Sequence, residues 1–309
     1  MKDDLRLSLK ALRAFAAVVE RGSIAAAAEA LNTSASAVAA SVDQVEAEFG
    51  ASLLIRTRAR GIAPTPQGAA MAGRFRTLLD DYATVLSEGR DIAQTLTGTL
   101  RVGYYAPVAP AFLPRLVMPL MRDNPDLRLE LREHDNDSAQ EALLSGALDV
   151  ILFAGQDLRA GVETRVLLDL PPYVLLPAGH PLEGEGPVPL ERIARHPLVQ
   201  LDRPLARPYL DRLFLDSGLQ PQVAARADST EMVRSLVGAG MGIAVLNMRP
   251  FTTRSYAGDA LSSRPLDPGL PRLQLLSGRA KGRPRRSVSA FLDALHGWMA
   301  GGAASDLTV

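Results

Sequence analysis

The sequence predicts a multidomain protein: a small, mostly α-helical N-terminal unit closed by a β-hairpin, a long helix, and a larger α/β domain in two lobes. Three observations predict it. Apolar residues recur at spacings of three and four through roughly the first fifty positions. A four-three repeat then runs on for roughly thirty residues. From about Gly98, short apolar runs alternate with helical patterns almost to the end of the chain.

Composition bounds the possibilities. A chain of 309 residues suits two or three domains. Its hydrophobic share of 47% and charged share of 22% are those of a soluble globular protein. There is no cysteine, which excludes a disulfide framework and a thiolate metal site. Met1 to Lys10 lacks the apolar core of a signal peptide, and no run of about 18 apolar residues follows. The expectation is a cytoplasmic protein without membrane contact. Lys plus Arg number 34 and Asp plus Glu 34, a net charge of zero. Affinity for a polyanion depends on clustered cations, so their placement matters more than the total.

In the first unit, Leu9, Leu12, Phe15, Ala16 and Val19 mark a helix ended by Gly22. Ser23 caps a short Ala-rich second helix with Ile24, Ala27, Ala28 and Leu31 on its inner side. Asn32 and Thr33 form a turn, and Ser34 caps a third helix in which Val38, Val42, Val45 and Phe49 repeat before Gly50. Small alanines let the second and third helices cross closely, as a helix-turn-helix requires. Ser52 to Ile55 and Ile62–Ala63 read as two strands around an exposed turn from Arg56 to Gly61. That wing carries Arg56, Arg58 and Arg60. In isolation such a tip is a solvated surface turn; directly behind a tri-helical unit it reads as a phosphate clamp.

From Pro66 to about Gln94 a helix is expected, with Met71, Phe75, Leu78, Tyr82 and Val85 on a heptad seam. Either the seam packs on its own domain or it pairs with a second copy of the chain; its length favours the pair.

Beyond Gly98, strands are expected at Thr99–Gly103, Leu127–Leu131 and Val150–Phe153, with helices at Pro110–Met121 and Ser138–Leu144. After Leu170-Pro171-Pro172 the rhythm restarts with strands at Tyr173–Leu176, Leu198–Leu201, Val223–Arg226 and Ile243–Leu246. Helices at Pro208–Ser217 and Thr230–Ala239 lie between them, and Leu273–Leu276 and Ser289–Met299 return to the first lobe. The expected domains are 7–66, a linker helix 67–95, and 98–302, the last split into lobes of about 98–169 with 271–302, and 170–270.

Several segments carry a resemblance to a known family. Phe15-Ala16-Ala17-Val18-Val19, Gly22 to Ala28, Leu31-Asn32-Thr33-Ser34, Val45 to Gly50, Leu53-Leu54-Ile55-Arg56 and Thr65-Pro66-Gln67-Gly68 resemble LysR-family segments in order and spacing. So do Gly146 to Val150, Leu176 to Leu182 and Val237 to Ile243 farther on. The resemblance implies a transcriptional regulator rather than an enzyme, without a cofactor. It has a winged helix-turn-helix on a linker helix, and a two-lobed domain like periplasmic binding proteins that senses a small-molecule effector. The partners it implies are double-stranded promoter DNA, the effector, further copies of the chain as dimer and tetramer, and RNA polymerase.

The third helix departs from the family pattern. Where many members have Gln-Pro early in this helix, the chain has Ala35-Ser36, and no Lys or Arg lies between Ser34 and Gly50. Bidentate arginine–guanine readout from the helix is therefore ruled out. Candidate DNA contacts are Thr33, Ser34, Ser36, Ser41 and Gln44 on the helix, with a lean toward A·T-rich sites, and Arg56, Arg58 and Arg60 on the wing.

Ligands of open α/β sheets sit beyond the carboxyl ends of strands. Four places fit: Tyr104, Tyr105, Ala106 and Pro107; Phe153 to Gly155; Asp202, Arg203 and Arg207; and Ser229, Thr230 and Glu231, with Asn247 as a further candidate. Arg203 or Arg207 would pair a carboxylate, Ser229 or Thr230 would donate to it, and Asp202 and Glu231 would suit an amine. The same residues also have ordinary readings: core tyrosines, arginines bound to Asp202 or Asp211, a threonine that caps its helix. A small organic acid or an amino-acid-like molecule is the expected effector, biasing one assembly over another by differential affinity.

Other chemistry is missing. His134, His180, His196 and His296 have no partner at metal-ligand spacing, and no nucleophile elbow or phosphate loop occurs. The basic run Arg279 to Arg286 reads as a second DNA contact or a solvated loop, and its position before the last helix favours the loop.

Overall fold

The computed structural model describes residues 7–57, 61–90, 96–107, 109–155, 157–301 and 307–308. Three helices open the chain: α1 (Leu9–Arg21), α2 (Ile24–Ala30) and α3 (Ala35–Phe49). Each starts on a serine, Ser8, Ser23 and Ser34, whose hydroxyl accepts the N–H of Ala11, Ala26 and Ala37. Such a cap stabilises a helix by about 1 kcal/mol. Gly22 and Gly50 end α1 and α3 in the left-handed region, at φ 65° and 60°. Phe15, Ala27, Val38, Val42 and Val45 form the core between them, as their spacing predicts, and Val18 is buried where Val19 is expected, Val19 being only partly covered.

The hairpin follows as β1 (Leu54–Thr57) and β2 (Gly61–Pro64), antiparallel. The first arm is displaced from the expectation, so that Arg56 and Thr57 belong to β1 rather than to the turn, while the second holds the expected Ile62–Ala63 with one residue more at each end. The reason lies on α3. The Glu46 carboxylate accepts the N–H groups of Leu53 and Leu54, at 2.6 and 3.0 Å, which delays the strand by two residues. The turn with Arg58 and Arg60 lies outside the described residues.

Helix α4 (Pro66–Arg90) starts where Pro66 predicts; positions 91–94 of the expected helix lie outside the described residues. The Thr65 hydroxyl accepts the Gly68 N–H at 3.0 Å and donates to the Leu53 carbonyl at 3.1 Å, tying the helix start to the hairpin.

The chain divides into two compact units: Met1–Arg101 with Asn124–Glu130 and Glu141–Asp149, and Val102–Asp123 with Leu131–Gln140 and Val150–Val309. In the first, α4 approaches the 145–147 turn so closely that a Cβ at Gly73 would overlap the Ser145 carbonyl. An Asp80–Arg101 ion pair at 2.7 Å holds the same helix farther along.

The remaining elements are β3 (Gly98–Tyr104), a 3-10 turn at Ala109–Ala111, α5 (Leu113–Asp123), β4 (Leu127–Glu133), α6 (Asn136–Leu144), β5 (Val150–Ala154) and β6 (Val162–Leu170). Next come β7 (Tyr173–Pro177), α7 (Leu190–Ile193), β8 (Leu198–Leu201), α8 (Ala206–Asp216), β9 (Val223–Ala227), α9 (Thr230–Gly238) and β10 (Ala244–Leu246). β11 (Leu261–Pro265), β12 (Leu273–Ala280) and α10 (Arg286–Ala300) complete the chain. A five-stranded sheet runs β4-β3-β5-β12-β6, with β3 and β5 parallel and β12 antiparallel to both its neighbours. A second group holds an antiparallel β10-β7-β11 sheet and a parallel β8-β9 pair.

Two strands escaped the sequence. β6 (VETRVLLDL) shows neither clean alternation nor a continuous apolar run, because only its end residues are buried. β11 carries Arg264, which is buried and donates to the carbonyls of Leu182, Glu185 and Gly186. The basic run is not wholly a loop either: Arg279 and Ala280 end β12, where Arg279 pairs with Glu163, and Arg286 opens α10. The neighbouring carboxylate draws Arg279 into the sheet. Among the described residues no helix is long and apolar enough to cross a membrane.

Candidate functional site

On α3, Ser34 and Ser36 are exposed with their hydroxyl oxygens 3.0 Å apart, Thr33 is half-buried and Gln44 is exposed. Ser41 differs from expectation. Its hydroxyl donates to the Ala37 carbonyl at 2.8 Å, one helical turn back, so its proton is already committed. Arg56 differs too. It leaves the turn for β1 and pairs with Asp43 at 3.0 Å and Glu46 at 3.8 Å. Two acids of α3, Asp43 and Glu46, thus bind the hairpin's first cation and its backbone.

Along α4, Met71 packs against the N-terminal core and Phe75 is buried in it, edge-on to Phe15 at 5.7 Å and beside Phe49 at 6.2 Å. These two belong to the chain's own core, because the first turns of α4 lie against α1. Leu78, Tyr82, Val85 and Leu86 are exposed and continue the apolar stripe.

The predicted cleft residues divide. A cleft of about 490 Å³ in the second unit is lined by Ala106, Pro107, Arg203, Ser229, Thr230 and Glu231 from the expected set. Adjoining it through Pro107, Thr230 and Met248 is a pocket of about 30 Å³ that Tyr105 and Asn247 reach. Tyr105 is otherwise buried, and Asn247 spends its amide on the Leu170 carbonyl and the Tyr209 hydroxyl. Phe153 lies in the core at 1% exposure, because every residue of β5 is buried; Tyr104 is half-buried and lines neither space. Asp202 and Arg207 face each other at 3.5 Å, Arg207 also meets Asp211 at 3.7 Å, and neither lines the cleft.

Arg203 is no free cation. It pairs with Glu133 at 2.9 Å and Asp135 at 3.2 Å and donates to the Asp228 carbonyl. Burial lowers its pKa, but the two carboxylates more than offset that, and the net shift is upward. Burial pushes the Tyr105 phenol up to about 12, against the opposing charge of Arg203. Two buried polar atoms lack a hydrogen-bond partner among the described residues, Arg203 Nε and Thr230 Oγ1. Both residues line the cleft, so a ligand there meets groups in need of partners. No group of three His, Cys, Asp or Glu among the described residues is placed to hold a metal.

Residues 93–300 match the family described as the LysR substrate binding domain, and residues 9–69 match the bacterial regulatory helix-turn-helix protein, lysR family. The chain belongs to the LysR family. It is therefore a transcriptional regulator with a DNA-binding and an effector-binding domain, and not an enzyme. Among its LysR-family relatives, the probable hydrogen peroxide-inducible genes activator of Mycobacterium leprae is 31% identical, over 77% of each chain. The crystal structure of HinK, a LysR-family regulator from Pseudomonas aeruginosa, is 27% identical with a TM-score of 0.62, covering 95% of this chain and 98% of that one. A full-length OxyR variant from the same species shares the fold at a TM-score of 0.73 and 23% identity, over 94% of this chain and 98% of that one.

For this LysR-family chain, sequence reading missed Glu133, Arg234, Met248, Phe251 and Tyr256, all of which line the cleft. Asn247 follows β10, and the strand-end rule extended four residues onward would have reached Phe251. Arg234 gave no such signal: it is buried on α9, donating to Glu231 and to the carbonyls of Thr252 and Arg254.

Proposed function

We propose that α3 and the β1–β2 hairpin hold promoter duplex DNA in the cytoplasm. A second copy of the chain pairs along the α4 stripe from Leu78 to Leu86, and a small molecule in the 490 Å³ cleft switches the assembly toward or away from productive contact with RNA polymerase. The observation that carries the DNA assignment is the face of α3: exposed hydroxyls at Ser34 and Ser36 beside a hairpin bearing Arg56, Arg58 and Arg60. Phosphate contacts from the hairpin supply affinity, and Thr33, Ser34, Ser36 and Gln44 supply a weak preference for A·T-rich edges. Paired α4 helices set the distance between two such heads and so ask for a two-fold site.

The effector is a small organic acid or an amino-acid-like molecule. The second class fits the cleft better, because Arg203 and Arg234 are each already held by carboxylates. A peroxide response through a thiol, whatever a relative's name suggests, is closed to a chain without cysteine.

Binding of the full chain to its own upstream DNA, beside a random duplex and across a salt series, tests the assignment. Tighter, steeply salt-dependent binding to the upstream DNA is expected. Equal weak binding to both duplexes, with and without candidate effectors, overturns it.

A further inference from the structure

The cleft's charge is balanced in a way that favours one ligand class. Four charged side chains line it: Glu133, Arg203, Glu231 and Arg234. Arg234 is 2% exposed and closed off by Glu231 and two backbone carbonyls. Glu231 in turn accepts the Tyr256 N–H at 2.6 Å. Arg203 lies between Glu133 and Asp135, the second acid standing just behind the lining. Each cation is thus neutralised within the protein, and around Arg203 acid is in excess. An incoming carboxylate would meet Glu133 and Asp135 before it gained a free guanidinium, whereas an ammonium group would find Glu133, whose side chain is 46% exposed.

The rest of the lining defines the body that goes with such a head group. Pro107, Pro110, Met248 and Phe251 give apolar surface, and Arg115 covers the Phe251 ring at 5.0 Å from outside the lining. Tyr256 stands at the cleft with its side chain open to solvent, a ring face free for a cation. Thr230 Oγ1 and Arg203 Nε, buried and unpartnered among the described residues, ask for a ligand oxygen or an N–H group.

We infer that the effector is a cationic amine with an apolar or aromatic body and no carboxylate, its ammonium group held by Glu133 and its body laid along Met248, Phe251 and Tyr256. The inference rests on the cleft being the effector site; it keeps the amine of the amino-acid-like class and removes the carboxylate that organic acids and amino acids share.

Three probes with one body and different heads test it: phenethylamine, phenethyl alcohol and hydrocinnamate. Each is titrated calorimetrically into the full chain, into Glu133→Gln and into Thr230→Val. The amine is expected to bind at least about ten-fold tighter than the acid, a difference of about 1.4 kcal/mol. Glu133→Gln should reduce the amine to the affinity of the alcohol, while Asp135 still holds Arg203. An acid that binds as tightly as the amine, with Thr230→Val weakening both, overturns the amine class and leaves the cleft as the site. Amine binding that neither variant changes overturns the cleft itself. No binding by any probe overturns the inferred class.

Discussion

The Arg56 guanidinium lies 3.0 Å from the Asp43 carboxylate, so a cation of the hairpin is held by an acid of the helix that would read DNA. Both groups are more than half exposed, and an ion pair in that setting contributes about 0.2–1 kcal/mol to stability. Its larger effect is on charge: Arg56 reaches a phosphate only by giving up Asp43.

Asp43→Asn is therefore expected to tighten DNA binding and steepen its dependence on salt by up to about one unit in the log–log slope, the release of one further counterion. Replacing Arg56, Arg58 and Arg60 together by alanine should flatten the slope. Fluorescence anisotropy across a salt series measures both, and slopes that do not move would remove the hairpin from the interface.

Helix α4 divides into two parts with separate energetics. Phe75→Ala empties a buried site between Phe15 and Phe49 and should cost about 3–5 kcal/mol in chemical denaturation. Leu78→Asp alters a side chain 48% exposed and should leave each copy folded while shifting sedimentation equilibrium toward monomer. A fold lost in the second variant, or an unchanged association, contradicts the division.

The helices and their caps were legible because periodicity and serine caps are local properties. Ser23 and Ser34 cap the helices that follow them, as expected, and Leu198–Leu201 matches its predicted strand to the residue. The cleft was half legible. Thr230 and Arg203 stand where strand ends and helix starts converge, a rule that needs no side-chain partners. Glu133, Phe251 and Tyr256 were not legible, because which loop closes over a strand end is decided by contacts far apart in sequence. The carboxylate partners of Arg203 lie about seventy positions away, and nothing local announces that its charge is already matched.

Tyr105 links pH to stability. Burial raises its folded pKa to about 12, above the value of about 10 expected for the unfolded chain. Folding then favours the protonated phenol. Its contribution is complete below about pH 10 and is lost as pH rises toward about 12. Tyr105→Phe should show a smaller loss of stability between those limits in denaturant titrations across pH. Identical alkaline profiles for the two proteins would remove Tyr105 as the cause.

The Glu46 carboxylate grips the backbone of Leu53 and Leu54 from the last turn of α3. Helix and hairpin are fastened through a carboxylate spent on backbone N–H groups, so neither swings freely of the other. Together they act as a caliper set to one gauge. With little hydrogen-bond lettering on α3, the chain would discriminate among duplexes by how well groove width and curvature fit that gauge, and stiff or mis-shaped sites would be refused on deformation energy alone.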